Sequence, residues 1–229
     1  GRIWIASEAQ NLFCYDLKEQ SLRNYILTEH SLVSTNVKCL TVDNSGTIWI
    51  GFYGDGLFYS KDNLKTLHPY LSPVDNEETY NDDVVSKIVL GAYNCLYISS
   101  LKGGVKELNL TSGKLRDLLL KDENNEAIYC RTLLVYTDNE LWIGTESGVY
   151  IYNLRTEKYT HLRSSEYDPY SLSDNAIYSF CKDREDGIWI GSYFGGVNYY
   201  PRSYTYFEKY YPKGIENSLH GKRVREFCR

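Results

Sequence analysis

The sequence predicts an all-β fold, a β-propeller segment of four-stranded antiparallel blades in which five repeats are present. Three observations predict it. A short phrase around an aromatic residue recurs as Arg2-Ile3-Trp4-Ile5-Ala6, Thr47-Ile48-Trp49-Ile50-Gly51, Cys95-Leu96-Tyr97-Ile98-Ser99, Glu140-Leu141-Trp142-Ile143-Gly144 and Gly187-Ile188-Trp189-Ile190-Gly191. The aromatics stand at 4, 49, 97, 142 and 189, so the steps are 45, 48, 45 and 47 residues, a spacing in the range of propellers and solenoids. Between phrases, the same order of apolar runs and Asn/Asp/Gly clusters returns each time, the alternation of strands and tight turns.

The first strand of each repeat is an apolar run: residues 37–42, 84–90, 128–136 and 176–181. A turn follows at residues 43–46, 92–94, 137–140 and 183–187, and the aromatic phrase is the second strand. A Gly-bearing turn leads to a third strand at 57–59, 105–108, 149–152 and 197–200. A more polar fourth strand closes the unit at 64–71, 114–120, 158–163 and 204–210. The repeats run approximately over residues 1–35, 36–83, 84–127, 128–175 and 176–220, with 221–229 as the first strand of a further or closing blade.

Two positions in the phrase have a structural reason. Ala6, Gly51, Ser99, Gly144 and Gly191 are all small, as expected where a neighbouring backbone or blade comes close. Gly56, Gly104, Gly148 and Gly196, with Asn11 in the first copy, suit a turn with positive φ. Trp4, Trp49, Tyr97, Trp142 and Trp189 are expected to pack between blades, as Gly51, Gly144 and Gly191 are expected to be architecture rather than a phosphate loop.

The ends are complementary. The chain opens on a second strand and closes on Val224 to Cys228, which reads as a first strand. These could complete one blade between them and hide both edges. An open arc of a larger propeller, or pairing with a second copy, would serve equally. The sequence holds no Met and begins on a strand, so a piece excised from a longer protein is expected.

Composition narrows the function classes. The net charge is -5, and no Lys/Arg stretch tracks a phosphate backbone, so nucleic acid is not an expected partner. No apolar run reaches the ~18 residues of a membrane span, and no signal peptide is seen. The six cysteines show no CxxC pair, and no His/Cys spacing suits zinc. Cys39, Cys130, Cys181 and Cys228 lie in apolar runs and are expected to be buried hydrophobes, with disulfides as the alternative. The 23 tyrosines suit strands with one wet end. No nucleophile elbow, HExxH or P-loop occurs, so no catalytic residue, cofactor or metal site is expected.

Binding residues concentrate on loops held by a rigid scaffold. The loops joining second and third strands, residues 52–55, 100–103, 145–147 and 192–195, share a face with the links between blades. Tyr53, Asp55, Lys102, Glu146, Tyr193 and Phe194 are the candidate ligand-binding residues there, suited to a polar ligand with apolar faces such as a sugar.

The pattern Asn-x-Val, apolar run, Asp-x-x-Gly-x-Ile-Trp-Ile-Gly and Gly-Leu/Val resembles the two-component-regulator propeller repeat. Asn36 to Leu57, Leu141 to Asn153 and Asp174 to Tyr200 carry it, with lead-ins at residues 31–36, 171–175 and 218–222. The third copy departs, with Tyr97 and Ser99 where the others have Trp and Gly. The resemblance implies the periplasmic sensor region of Bacteroides-type hybrid two-component histidine kinases. Its parent would be anchored in the inner membrane and built from seven-bladed propellers. Such a segment would not itself be an enzyme and would not touch the membrane. Its expected partners are an oligosaccharide or glycan fragment, the rest of the same sensor polypeptide and a second copy in a homodimer. The repeat is a fold motif and transfers no ligand residue. Two alternatives stay open: a propeller enzyme of lyase or dehydrogenase type, and a protein-interaction scaffold.

Overall fold

The computed structural model describes residues 1–7, 11–26, 36–70, 84–168 and 170–202. All regular structure there is β, in five antiparallel sheets. Blade one has three strands, β1 (Arg2–Ser7), β2 (Asn11–Asp16) and β3 (Ser21–Ile26). Blade two holds β4 (Val37–Val42), β5 (Ile48–Phe52), β6 (Leu57–Ser60) and β7 (His68–Pro69). Blade three holds β8 (Val85–Leu90), β9 (Cys95–Ser100), β10 (Val105–Asn109) and β11 (Leu115–Leu119). Blade four holds β12 (Cys130–Thr137), β13 (Glu140–Thr145), β14 (Gly148–Asn153) and β15 (Lys158–Leu162). Blade five holds β16 (Ile177–Lys182), β17 (Ile188–Ser192) and β18 (Val197–Tyr200). Within each sheet the strands pair in chain order. First strands pack side by side, β4 on β8, β8 on β12 and β12 on β16, while β1 packs on β4 as a second strand does. The fourth strand expected at 204–210 and the closing strand at 224–228 lie outside the described residues.

The core is four clusters, one in each gap between blades. The phrase explains this through strand alternation, which sends successive side chains to opposite faces. Ile48 and Ile50 pack with Leu12 of blade one, whereas Trp49 packs with Ile88, Ile98 and Leu108 of blade three. Trp142 likewise meets Ile177, Ile188 and Ile190 of blade five. Blades two, three and four thus each contribute Ile or Leu side chains to one gap and their aromatic to the next.

The small residue after the aromatic faces the same way. A Cβ on Gly51 would lie 2.5 Å from Val85 Cγ1 and 2.6 Å from Cys39 Sγ. One on Gly144 would lie 2.7 Å from Thr132 Cγ2 and 2.8 Å from Ile177 Cγ2. Both clashes involve the following blade, as the sequence suggested.

The acidic turn also has a reason. Asp43 Oδ1 accepts the N–H groups of Ser45 and Thr47 and the Ser45 hydroxyl, while Oδ2 accepts Trp49 Nε1–H at 2.9 Å. One carboxylate therefore shapes the hairpin and anchors the indole. Asp183 does the same for Trp189, and Glu140 accepts Trp142 Nε1–H at 2.7 Å. In the third repeat, Glu107 stands opposite Tyr97 on the neighbouring strand. Burial foremost, then the charge of Glu107, pushes that phenol's pKa up.

Several expectations need correction. The fourth strand of blade two pairs only over His68–Pro69 rather than 64–71. Asn63 and Leu64 have φ of 57° and 66°, and Ser60 Oγ and Asp62 accept the N–H groups of Leu64 and Thr66, so the chain turns before it can pair. Gly56, Gly104, Gly148 and Gly196 take φ of 76°, 66°, 122° and 76° as expected, but Asn11 is the first residue of a strand. Trp189 and Cys181 are exposed rather than buried, because the described residues place no blade against that face. Cys14, Cys39, Cys95 and Cys130 are buried. Cys228 lies outside the described residues.

Candidate functional site

All four complete first strands carry the same irregularity. The register slips by one residue between Val37 and Cys39, Val85 and Lys87, Cys130 and Thr132, and Ile177 and Ser179. The extra residue of each β-bulge is Lys38, Ser86, Arg131 or Tyr178. A bulge re-aims its side chain and tightens the local twist. The loop after each second strand is tied back beside it: the N–H groups of Tyr53, Leu101, Glu146 and Tyr193 donate to the carbonyls of Asn36, Val84, Tyr129 and Ala176. Three of the bulge residues, Lys38, Arg131 and Tyr178, are thereby set next to one loop residue each.

The pairs differ in chemistry. Lys38 Nζ lies 5.6 Å from the centroid of the Tyr53 ring. Ser86 turns onto blade four, its hydroxyl donating to the Cys130 carbonyl at 2.8 Å and meeting Ser99 Oγ at 2.9 Å. Arg131 pairs with Glu146. Tyr178 stacks on Tyr193 with centroids 5.1 Å apart.

Blades four and five join two of these pairs. The Arg131 guanidinium lies 5.0 Å from the Tyr178 ring centroid. Tyr193 in turn meets Phe194 edge-on at 4.4 Å. The result is a continuous run of Glu146, Arg131, Tyr178, Tyr193 and Phe194. Tyr178 and Tyr193 are exposed, and Phe194 is 87% exposed. Phe194 is held from behind. Asp174 accepts the Phe194 N–H at 2.9 Å and the Ala176 N–H at 3.2 Å, and these backbone donors hold its carboxyl below the usual range. A Cβ on Gly195 would meet Ser173 Oγ at 2.5 Å, so the loop needs glycine to lie on that link.

Of the sequence candidates, Glu146, Tyr193 and Phe194 come together. Tyr53 and Asp55 sit on blade two and Lys102 on blade three, outside the cluster. Phe52, Ser100 and Thr145, expected at the loop ends, are buried strand residues. Arg131 and Tyr178 escaped sequence reasoning. A signal existed: each bulge residue stands 11 positions before the repeated aromatic, as Lys38 before Trp49 and Tyr178 before Trp189.

A second concavity, about 500 Å³, lies at the opposite end of blades two and three, among Trp49, Tyr59, Tyr70, Lys61, Asn94 and Asp43. Its carboxylate is already committed to the hairpin and the indole. Among the described residues, no group of three His, Cys, Asp or Glu side chains is arranged to hold a metal ion, and no helix is long and apolar enough to cross a membrane.

These sheets, packed successively through their first strands, define a segment of a β-propeller. The family model described as two component regulator propeller matches residues 31–54 and 171–194. Among solved structures, it is similar to the extracellular domain of BT4673 from B. thetaiotaomicron, assigned to a hybrid two component system. That likeness has 18% identity and a TM-score of 0.72, over 87% of this chain and 26% of the other. The extracellular domain of BT3049 from the same organism, with the same assignment, matches at 21% identity and a TM-score of 0.61, over 100% of this chain and 35% of that one. Virginiamycin B lyase from Staphylococcus aureus matches at 17% identity and a TM-score of 0.63, over 88% and 66%. At such identities the likeness shows the fold. The chain spans about a quarter to a third of the first two relatives. No curated protein matches it.

Proposed function

We propose that this chain is a ligand-sensing segment of a two-component regulator's propeller. A polysaccharide-derived fragment binds on the rim where first strands and second-to-third loops meet, and the signal passes to a histidine kinase outside this chain. The observation that carries the reading is the exposed run Tyr178, Tyr193 and Phe194 beside the Arg131–Glu146 pair. Exposed aromatics gathered at one point of a soluble surface mark an interaction site, and rings flanked by planar hydrogen-bonding groups suit the C–H faces and hydroxyls of a sugar.

The family repeat and the extracellular sensor domains among the structural relatives support the sensor role and an extracellular or periplasmic place. In this reading the parent is anchored in the inner membrane, the chain is part of a larger, seven-bladed propeller, and its partners are the rest of the same polypeptide and a second copy. The segment itself is not an enzyme in this reading. A fragment could drive signalling only through different affinities for two arrangements of the sensor, since equal affinity shifts no equilibrium.

The test is a reporter driven by the intact regulator in cells fed single polysaccharides. One polysaccharide is expected to raise transcription, and Tyr193→Ala to blunt the response. A regulator that answers to no glycan overturns the reading.

A further inference from the structure

We infer that the first-strand bulge is the ligand-reading position of these repeats, and that blades four and five use it to hold a neutral sugar unit on Tyr178, Tyr193 and Phe194. The inference rests on the glycan-sensing reading above and names the class of glycan and the residues that select it.

The argument begins with what varies along this one chain. The packing positions repeat in kind: an aromatic at 49, 97, 142 and 189, and a small residue two places later. At 49, 97 and 142 the aromatic packs into the gap toward the following blade, so side chains of the same kind serve. The bulge repeats in backbone but not in side chain, being Lys38, Ser86, Arg131 and Tyr178. A position of constant geometry and free chemistry is where one blade can differ from the next without disturbing the packing. Ser86 is taken up by its bond to Cys130 of blade four. Lys38, Arg131 and Tyr178 each engage the loop residue 15 positions on, Tyr53, Glu146 and Tyr193.

The charge state selects the ligand. Arg131 and Glu146 neutralise each other beside the aromatic run. An acidic sugar would have to compete with Glu146 for the guanidinium, and its carboxylate would lie near that of Glu146. A neutral sugar meets no such opposition. The guanidinium has five N–H donors and the carboxylate about four acceptor sites, so both keep capacity for hydroxyls while paired. A sugar ring lying on Phe194 and Tyr178 would present its hydroxyls to that pair.

The test is calorimetric titration of the intact protein that carries this chain. The probes are oligosaccharides prepared from glucan, xylan, mannan and arabinan, with polygalacturonate fragments as the acidic set. At least one neutral set is expected to bind. Phe194→Ala and Tyr178→Ala should each weaken that binding by about tenfold or more, as loss of a central aromatic contact does. Phe194→Ala should leave the unfolding temperature unchanged, because its ring is 87% exposed. Neutral binding that neither substitution weakens places the ligand elsewhere, overturning the inference while the glycan-sensing reading stands. Binding of polygalacturonate fragments alone overturns the neutral assignment, again with sensing intact. Failure of every oligosaccharide to bind overturns both.

Discussion

Blades four and five carry nearly the same phrase, Leu141-Trp142-Ile143-Gly144 and Ile188-Trp189-Ile190-Gly191, on nearly the same hairpin. Their indoles meet different surroundings. Trp142 is 1% exposed, closed in by Phe180 and Tyr200 of the following blade, while Trp189 is 46% exposed and rests on Tyr199 of its own sheet. Blade one shows the complement: Ile3 and Ile5, which correspond to the buried Ile48 and Ile50, are exposed. Alternation decides which way a residue points, but burial is supplied by the neighbour. The phrase is thus one half of an interface, and each gap between the described sheets takes Ile or Leu side chains from one sheet and an aromatic from the other.

The largest expected break in this comparison comes from removing the indoles. In urea unfolding of the 229-residue chain, Trp142→Ala should cost about 3–5 kcal/mol, the range for a buried large aromatic. Trp189→Ala should cost roughly 1–2 kcal/mol, because half of its surface is already wet. Equal losses would mean that the fifth aromatic is covered as fully as the fourth.

Glycine gives a smaller contrast. Gly51→Ala and Gly144→Ala should each lose about 1–3 kcal/mol by overpacking a gap, since their new methyls meet Val85 and Ile177 of the next blade. Gly191→Ala should lose less than about 0.5 kcal/mol, because its methyl meets only the rotatable Ser179 hydroxyl at 2.3 Å as a close contact. Unfolding midpoints would reverse the assignment if Gly191→Ala proved the most harmful of the three.

Acid should act through the turn carboxylates. Burial resists ionisation of Asp43, but hydrogen bonds from Ser45, Trp49 and Thr47 outweigh it and hold its pKa below the usual carboxylate value. A lowered folded pKa contributes stability that is present at neutral pH and lost as pH falls below the ordinary carboxylate range. Asp43→Asn should therefore cost about 1 kcal/mol at pH 7 and flatten the decline in stability as the pH falls below about 4. A decline as steep as in the parent would move the acid sensitivity to other groups, among them Asp62, which Thr66 foremost holds at about 2.

The last contrast is one of rate. Burial pushes the Cys39 thiol up to about 12, whereas Cys181 is exposed. Iodoacetamide at mild alkaline pH should label Cys181 in the folded chain and reach Cys39 only after unfolding, since the thiolate is the reacting form. Peptide mapping would show the order.

Much of the blade plan was legible because its signals are local and repeated. Asp43 and Trp49 are six residues apart and touch; the hairpin that joins them needs nothing from elsewhere. The rim was legible only in part. Glu146, Tyr193 and Phe194 could be proposed from their place in loops. Arg131 and Tyr178 were harder to find, because a strand residue normally alternates in or out, and only the one-residue slip aims them at the loops. Asp55 and Lys102 had the same sequence warrant as Glu146, yet lie on other blades.

The sequence by itself determined the repeating unit: a period near 45 residues, the strand order and the turns closed by Asp43 and Asp183. Those features depend on contacts within one hairpin. The tertiary structure decided which copies of the unit are covered and which rim residues meet. Both are settled between sheets, where Trp142 finds Phe180 and Arg131 finds Tyr178, and no single repeat contains both partners of such a contact.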